Sequence, residues 1–140
     1  MSPFLILQLL ILCQVLFADQ AHNIAVRLDK ILNQPKSMEL LENIIVLPYF
    51  IKTCVSSKYY QNNKEAKELT KKRFDHLQTS KGKNYVKNRQ LSDAKFEEED
   101  NLRIRWSVKY SDGIKIEYKA RDLDGEFLVY EERTINCDEL

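Results

Sequence analysis

Leu102-Arg-Ile-Arg-Trp-Ser-Val-Lys-Tyr-Ser-Asp-Gly-Ile-Lys-Ile-Glu-Tyr-Lys-Ala120 alternates apolar and polar side chains on both sides of Ser111-Asp112-Gly113. A period of two is the signature of a strand with one face buried, so the stretch reads as two strands and a turn. The turn length follows from the faces. A two-residue Asp112-Gly113 loop would oppose Tyr110 to Lys115 and set apolar faces against charged ones. A three-residue loop opposes Tyr110 to Ile114 and Trp106 to Tyr118, which puts every apolar residue on one face. That loop calls for a left-handed residue in third place, where Gly113 stands.

Outward from this hairpin, Asp124-Gly125 predicts a second reversal into the strand Phe127–Tyr130. Upstream, Asn84–Gln90 and Ala94–Glu98 read as short strands around a polar turn. Tyr49–Val55 is β-branched and aromatic enough for a strand, with Phe50 and Cys54 on one face and Tyr49, Ile51 and Val55 on the other. The N-terminal half has the helical period instead. Ile24, Leu28, Ile31 and Leu32 share one side of a first helix ended by Pro35. Ser37 suits the N-cap of a second helix that turns Leu40, Leu41, Ile44 and Ile45 inward and stops before Pro48. Asn62 or Asn63 caps a third, about Lys64–Leu77, with Ala66, Leu69, Phe74 and Leu77 buried and Glu68 placed to pair with Lys72. Helices followed by antiparallel strands predict an α+β domain, its helices packed on one face of a sheet.

The fourteen residues Phe4–Phe17 carry no charge and are followed at once by Ala18-Asp19-Gln20. A bilayer span needs about 20 apolar residues, so the run is read as a signal peptide, residues 1–18, ahead of a single domain at 19–140. An uncleaved anchor is the alternative. With 31% charged residues, three glycines and a net charge of +1, the composition is that of an ordinary folded domain with no general pull toward nucleic acid. Strand alternation also separates the bases of Arg103–Tyr110 from its aromatics, which argues against single-strand binding. The Lys-rich third helix, with Lys64, Lys67, Lys71, Lys72 and Arg73, reads as a solvated face that could otherwise contact an anionic surface or glycan.

With Cys13 in the leader, Cys54 and Cys137 are the remaining cysteines. One intramolecular disulfide is expected, closing a loop that stabilises by roughly 4–5 kcal/mol on a chain-entropy basis. Two buried thiols are the other reading. His22 and His76 sit at no ligand spacing from a cysteine, so neither metal nor cofactor is expected. Cys137-Asp-Glu-Leu140 echoes a lumenal retention signal without its basic first position, which keeps the endoplasmic reticulum lumen as an alternative to secretion.

The segment Phe50-Ile51-Lys52-Thr53-Cys54, followed by Tyr59-Tyr60 and a cysteine near the terminus at Cys137, resembles the small secreted nuclear transport factor 2-like domains numerous in nematodes. The resemblance spans most of Ile24–Cys137 and implies a bent, cone-like sheet wrapped by helices around a pocket. It also implies two functional classes, since pocketed members include isomerases and dehydratases that use an Asp, His or Tyr.

The assigned lining is Ile104, Trp106, Val108, Tyr110, Ile116 and Tyr118, covered by Ile24, Leu28, Leu41 and Ile45. Among these only the tyrosines titrate, and an unperturbed phenol near 10 is a poor neutral-pH base. Asp75-His76 reads as a solvated helix end. The expectation is a secreted, non-enzymatic binding domain for a small apolar ligand or an extracellular protein. A small isomerase or dehydratase is second, and a cystatin-like inhibitor third, disfavoured by three preceding helices and no Gln-x-Val-x-Gly loop. The outer sheet face would carry Arg103, Arg105, Lys109, Lys115 and Lys119, so a monomer or a weak dimer is expected.

Overall fold

The computed structural model describes residues 2–97 and 102–140. The elements run α1 (Pro3–Asn33), α2 (Met38–Asn43), β1 (Ile45–Lys52), β2 (Ser57–Tyr60), α3 (Asn63–Gln78), α4 (Ser80–Lys87), β3 (Gln90–Leu91), β4 (Lys95–Phe96), β5 (Arg103–Lys109), β6 (Lys115–Leu123) and β7 (Glu126–Thr134). They build a mixed, curved sheet in the order β2-β1-β7-β6-β5-β3, with β4 also on β5. The β1–β7 pair is parallel and the other pairs are antiparallel. The fold is α+β, as expected.

The central hairpin has the register read from its faces. Trp106 opposes Tyr118, Arg105 opposes Lys119 and Lys109 opposes Lys115. The Tyr110 amide donates to the Ile114 carbonyl at 2.9 Å across a loop in which Gly113 has φ +90°. The second reversal also holds, with Asp124 and Gly125 both at positive φ. Ile104, Trp106, Val108, Tyr118 and Ala120 are buried beneath α1, whose inward stripe is Ala21, Ala25, Leu28 and Leu32. Side chains from Phe4 to Leu12 stand exposed on the same unbroken helix. Among the described residues, no helix is long and apolar enough to cross a membrane.

Several boundaries differ from expectation. The last strand, expected at Phe127–Tyr130, runs as β7 to Thr134. The second helix is shorter: Ser37 caps it, but Leu40 is exposed and Ile45 already belongs to β1. β1 continues through Pro48 because the β1–β7 register is irregular between Ile45 and Phe50, where no ladder bond is asked of the imide. It ends at Lys52, so Cys54 lies just past the strand, and β2 pairs back on it from Tyr49 to Lys52. Asn84–Gln90 is not a strand, since most of it belongs to α4. Its cap explains this: Thr79 Oγ1 accepts from the Gly82 amide at 3.0 Å and donates to the His76 carbonyl at 2.6 Å, so one side chain closes α3 and opens α4. The Ala94–Glu98 strand is reduced to Lys95–Phe96, and Glu98 lies outside the described residues. On α3, Lys71 pairs with Asp75 at 2.6 Å in place of the Glu68–Lys72 pair.

The outer sheet face carries the expected Arg and Lys side chains, but acidic ones interleave. Lys119 lies 3.6 Å from Glu131 and 4.0 Å from Glu97, and Arg133 lies 3.7 Å from Glu131. Cys54 and Cys137 are disulfide-linked with Cα atoms 5.6 Å apart. The topology brings them together, because β1 and β7 run parallel and their C-terminal ends lie side by side.

Gly82 sits where α4 crosses the end of α3. A Cβ there would lie 2.1 Å from the His76 carbonyl oxygen. Helix propensity alone would favour Gly82→Ala by about 1 kcal/mol. The backbone clash should reverse that sign and destabilise by about 1–3 kcal/mol in urea unfolding at unchanged m-value. A more stable variant would contradict this packing.

Candidate functional site

A cavity of about 380 Å³ opens between the inner sheet face and helices α1, α3 and α4. Its apolar wall is Leu32, Leu69, Leu77, Val86 and Ile116. Its polar wall is Asn33, Arg73, Tyr110, Tyr118 and Glu132, and its exposed edge includes Lys72 and His76.

Three of the six expected lining residues, Tyr110, Ile116 and Tyr118, face this space. Ile104, Trp106 and Val108 do not. They are sealed in the core under α1, with Trp106 only 2% exposed and stacked on Tyr118 at 5.5 Å between ring centroids. Of the expected cover, Leu28 and Leu41 are fully buried and Ile24 and Ile45 pack against the same core. α1 contributes Leu32 and Asn33 to the cavity instead. The Asp75-His76 pair is split, with His76 at the cavity and Asp75 bonded to Lys71 outside it.

The wall also holds a carboxylate absent from the expected lining. Glu132 is 6% exposed and stands opposite Tyr118 in the β6–β7 ladder. A β-bulge sets its direction. Ala120 opposes Val129, but Lys119 opposes Glu131, so Tyr130 is an extra residue and the inward parity moves to Glu132. Without the bulge, the alternation from Val129 would turn Glu131 and Arg133 inward.

A buried carboxylate must be bonded. Glu132 Oε1 accepts from the Tyr49 hydroxyl at 2.7 Å and from the Arg73 guanidinium. Burial pushes the Tyr49 phenol well above its ordinary value, and the neighbouring Glu132 charge adds to this. Burial works against the Arg73 charge, but Glu132 outweighs it and Arg73 binds its proton more tightly than usual.

A second chain of bonds crosses the cavity floor. The Tyr110 and Tyr118 hydroxyls lie 2.6 Å apart, and Tyr110 donates to Asn33 Oδ1 at 2.8 Å. Asn33 Nδ2 donates to the Asp29 carboxylate at 2.8 Å, and Arg89 Nε holds the other carboxylate oxygen at 2.8 Å. Burial raises the Asp29 carboxyl despite Arg89 and Asn33, which pull it down. Burial is also the main reason that Tyr110 is pushed up to about 12 and Tyr118 well above its ordinary value.

Chemically, the wall combines neutral phenols with a carboxylate already held by a guanidinium. Sequence reasoning found the tyrosines, which alternate in a regular hairpin. It missed Glu132 and Asn33, and it placed Arg73 on the solvated face of the third helix, whereas Arg73 turns inward to the buried Glu132 carboxylate. The available signal was a helix placing Asn33 four residues after Asp29, and Arg73 on the sheet-facing side of α3. Among the described residues, no group of three or more His, Cys, Asp or Glu side chains could hold a metal ion.

No protein-family model matches the chain. No curated protein matches it either. Solved structures do. A de novo designed protein with a curved β-sheet aligns at a TM-score of 0.58 and 16% identity, over 84% of this chain and 99% of that one. A variant designated Rd1NTF2_05 aligns at 0.56 and 13%, over 82% and 96%. A protein from Novosphingobium aromaticivorans put forward as a scytalone dehydratase aligns at 0.52 and 10%, over 84% and 83%. At these identities the likeness concerns the fold alone, and that fold is nuclear transport factor 2-like.

The raised phenols carry a pH consequence. A group whose folded pKa exceeds its unfolded value binds protons more tightly when folded, so stability is full below the unfolded value and lost as pH rises through the folded one. For Tyr110 the window runs from about 10 to about 12 and is worth about 2–3 kcal/mol. Urea unfolding from pH 8 to 12 should therefore show a fall above pH 10 that is shallower in Tyr110→Phe. Identical slopes in both proteins would contradict the burial of this hydroxyl.

Proposed function

We propose that this chain is a secreted, non-enzymatic binding domain that holds one small, largely apolar ligand in the cavity beneath α1, α3 and α4. One observation carries the reading: the ionisable groups buried in the wall are already bonded to one another. Glu132 Oε1 takes Tyr49 and Arg73 together, and the phenols are pushed away from neutral pH. A general base needs a group poised near the working pH, which these phenols are not. The apolar remainder of the wall favours ligands by burial.

Secretion is supported by the uncharged Phe4–Phe17 run and by the Cys54–Cys137 disulfide, with the endoplasmic reticulum lumen as the alternative address. The nematode-type grouping suggested by Phe50-x-Lys52-x-Cys54 belongs to this proposal. The Phe50 and Tyr59 rings of that motif stack at 4.4 Å. The competing enzymatic reading, a small isomerase or dehydratase, rests on His76 at the cavity edge. His76 is exposed, and its sequence neighbour Asp75 faces away to Lys71.

N-phenyl-1-naphthylamine provides the test. Its fluorescence should rise saturably with one site per chain, and Leu69→Trp, which fills the cavity, should weaken binding at least about tenfold. Absence of saturable binding would remove the ligand-binding reading. Turnover of a small carbonyl or hydroxy substrate lost in His76→Ala would replace it with the enzyme. The outer face keeps Arg105, Lys109 and Lys115 beside the Lys119–Glu131 pair, so the protein should be a monomer or a weak, salt-sensitive dimer by light scattering. A salt-resistant dimer would contradict that part.

A further inference from the structure

The hydroxyl chain on the cavity floor has a direction. Asn33 Nδ2 lies 2.8 Å from the Asp29 carboxylate and 3.2 Å from the Asp29 backbone carbonyl. Both are acceptors, so the amide nitrogen must face them, and Oδ1 faces Tyr110. The backbone carbonyl holds this orientation whatever the charge on the carboxyl. Tyr110 has a single hydroxyl proton and gives it to Asn33 Oδ1. The 2.6 Å contact between the two phenols must then be donated by Tyr118. Tyr118 has thereby spent its proton inside the protein, and its oxygen can only accept from whatever enters the cavity.

Glu132, opposite Tyr118 on the same face, adds to this. Its Oε1 carries both of its bonds, and its Oε2 takes none among the described residues. Arg73, bonded through one nitrogen, keeps further N–H groups at the same wall. A tyrosine pair in an apolar cavity would ordinarily offer a proton to a substrate oxygen, as an oxyanion-stabilising site does. Here the polarity is the reverse. A ketone or ether could accept from Arg73 but would leave the Tyr118 oxygen and Glu132 Oε2 without a donor. An ammonium group would meet Arg73. A neutral hydroxyl suits the set, because it donates to the Tyr118 oxygen or Glu132 Oε2 and accepts from Arg73.

We propose that the cavity selects a neutral alcohol or phenol on an apolar body, its hydroxyl read by Tyr118 and Glu132. This rests on the ligand-binding reading above and names its ligand class.

Three probes of one shape test it: 2-naphthol, 2-methoxynaphthalene and 2-naphthaldehyde, each titrated against the fluorescence of Trp106, which stacks on Tyr118. At pH 7, 2-naphthol should bind at least about tenfold tighter than the ether and the aldehyde, the discrimination expected of a site built to pair a hydroxyl. Tyr110→Phe frees the Tyr118 proton to point into the cavity and should narrow that ratio by strengthening the aldehyde. If all three bind alike to the unaltered protein, or the aldehyde binds best, the polarity argument is overturned while the cavity stands. If none binds, the cavity reading and this one fall together.

Discussion

Everything about this interior depends on one buried carboxylate. Glu132 ties helix α3, through Arg73, to the paired strands β1 and β7, through Tyr49 and its own backbone. Leaving such a group unpaired inside a protein costs several kcal/mol, so the three cannot separate without a large loss. Helix α3 is thereby fixed at a set distance from the sheet, and the space between them is what remains as the cavity. The bulge at Tyr130 decides this arrangement, since a regular strand would point the neighbouring Glu131 inward in its place.

The same interaction limits what the site can do. Glu132 gives the cavity a charge, and on the binding-domain reading proposed above its bonds to Arg73 and Tyr49 make it part of the frame. The phenols behind it form a closed relay from Tyr118 to Asn33, anchored by the Asp29–Arg89 pair. A wall of this kind is rigid and already organised, which suits recognition of a ligand's shape and hydrogen-bond polarity. The fold is shared with a protein put forward as a dehydratase, but fold does not carry chemistry with it.

How much was legible in the sequence follows from how local each feature is. The β5–β6 hairpin was read to its register because alternation, loop length and Gly113 all act within nineteen residues. The disulfide followed from the cysteine count. α4 was not legible. It buries only Gly82 and Val86 over eight residues, and its existence turns on Thr79 serving two helices at once. The charged part of the cavity was illegible for a different reason. The expected strand stops at Tyr130, before Glu131-Glu132, and only a one-residue slip in pairing decides which of the two is buried. Asn33 meets Tyr110 across 77 residues of sequence, a distance that periodicity cannot bridge.

The central claim is that Glu132 is held by Arg73 as part of the frame. A double-mutant cycle of Glu132→Gln and Arg73→Met, read by urea unfolding at pH 7, tests it most directly. Each single change should destabilise by about 3–5 kcal/mol, because it strands a buried charge, and the double variant should cost clearly less than the sum. Additive effects, or an Arg73→Met variant as stable as the parent, would show that Glu132 stands free of Arg73 and is available for chemistry.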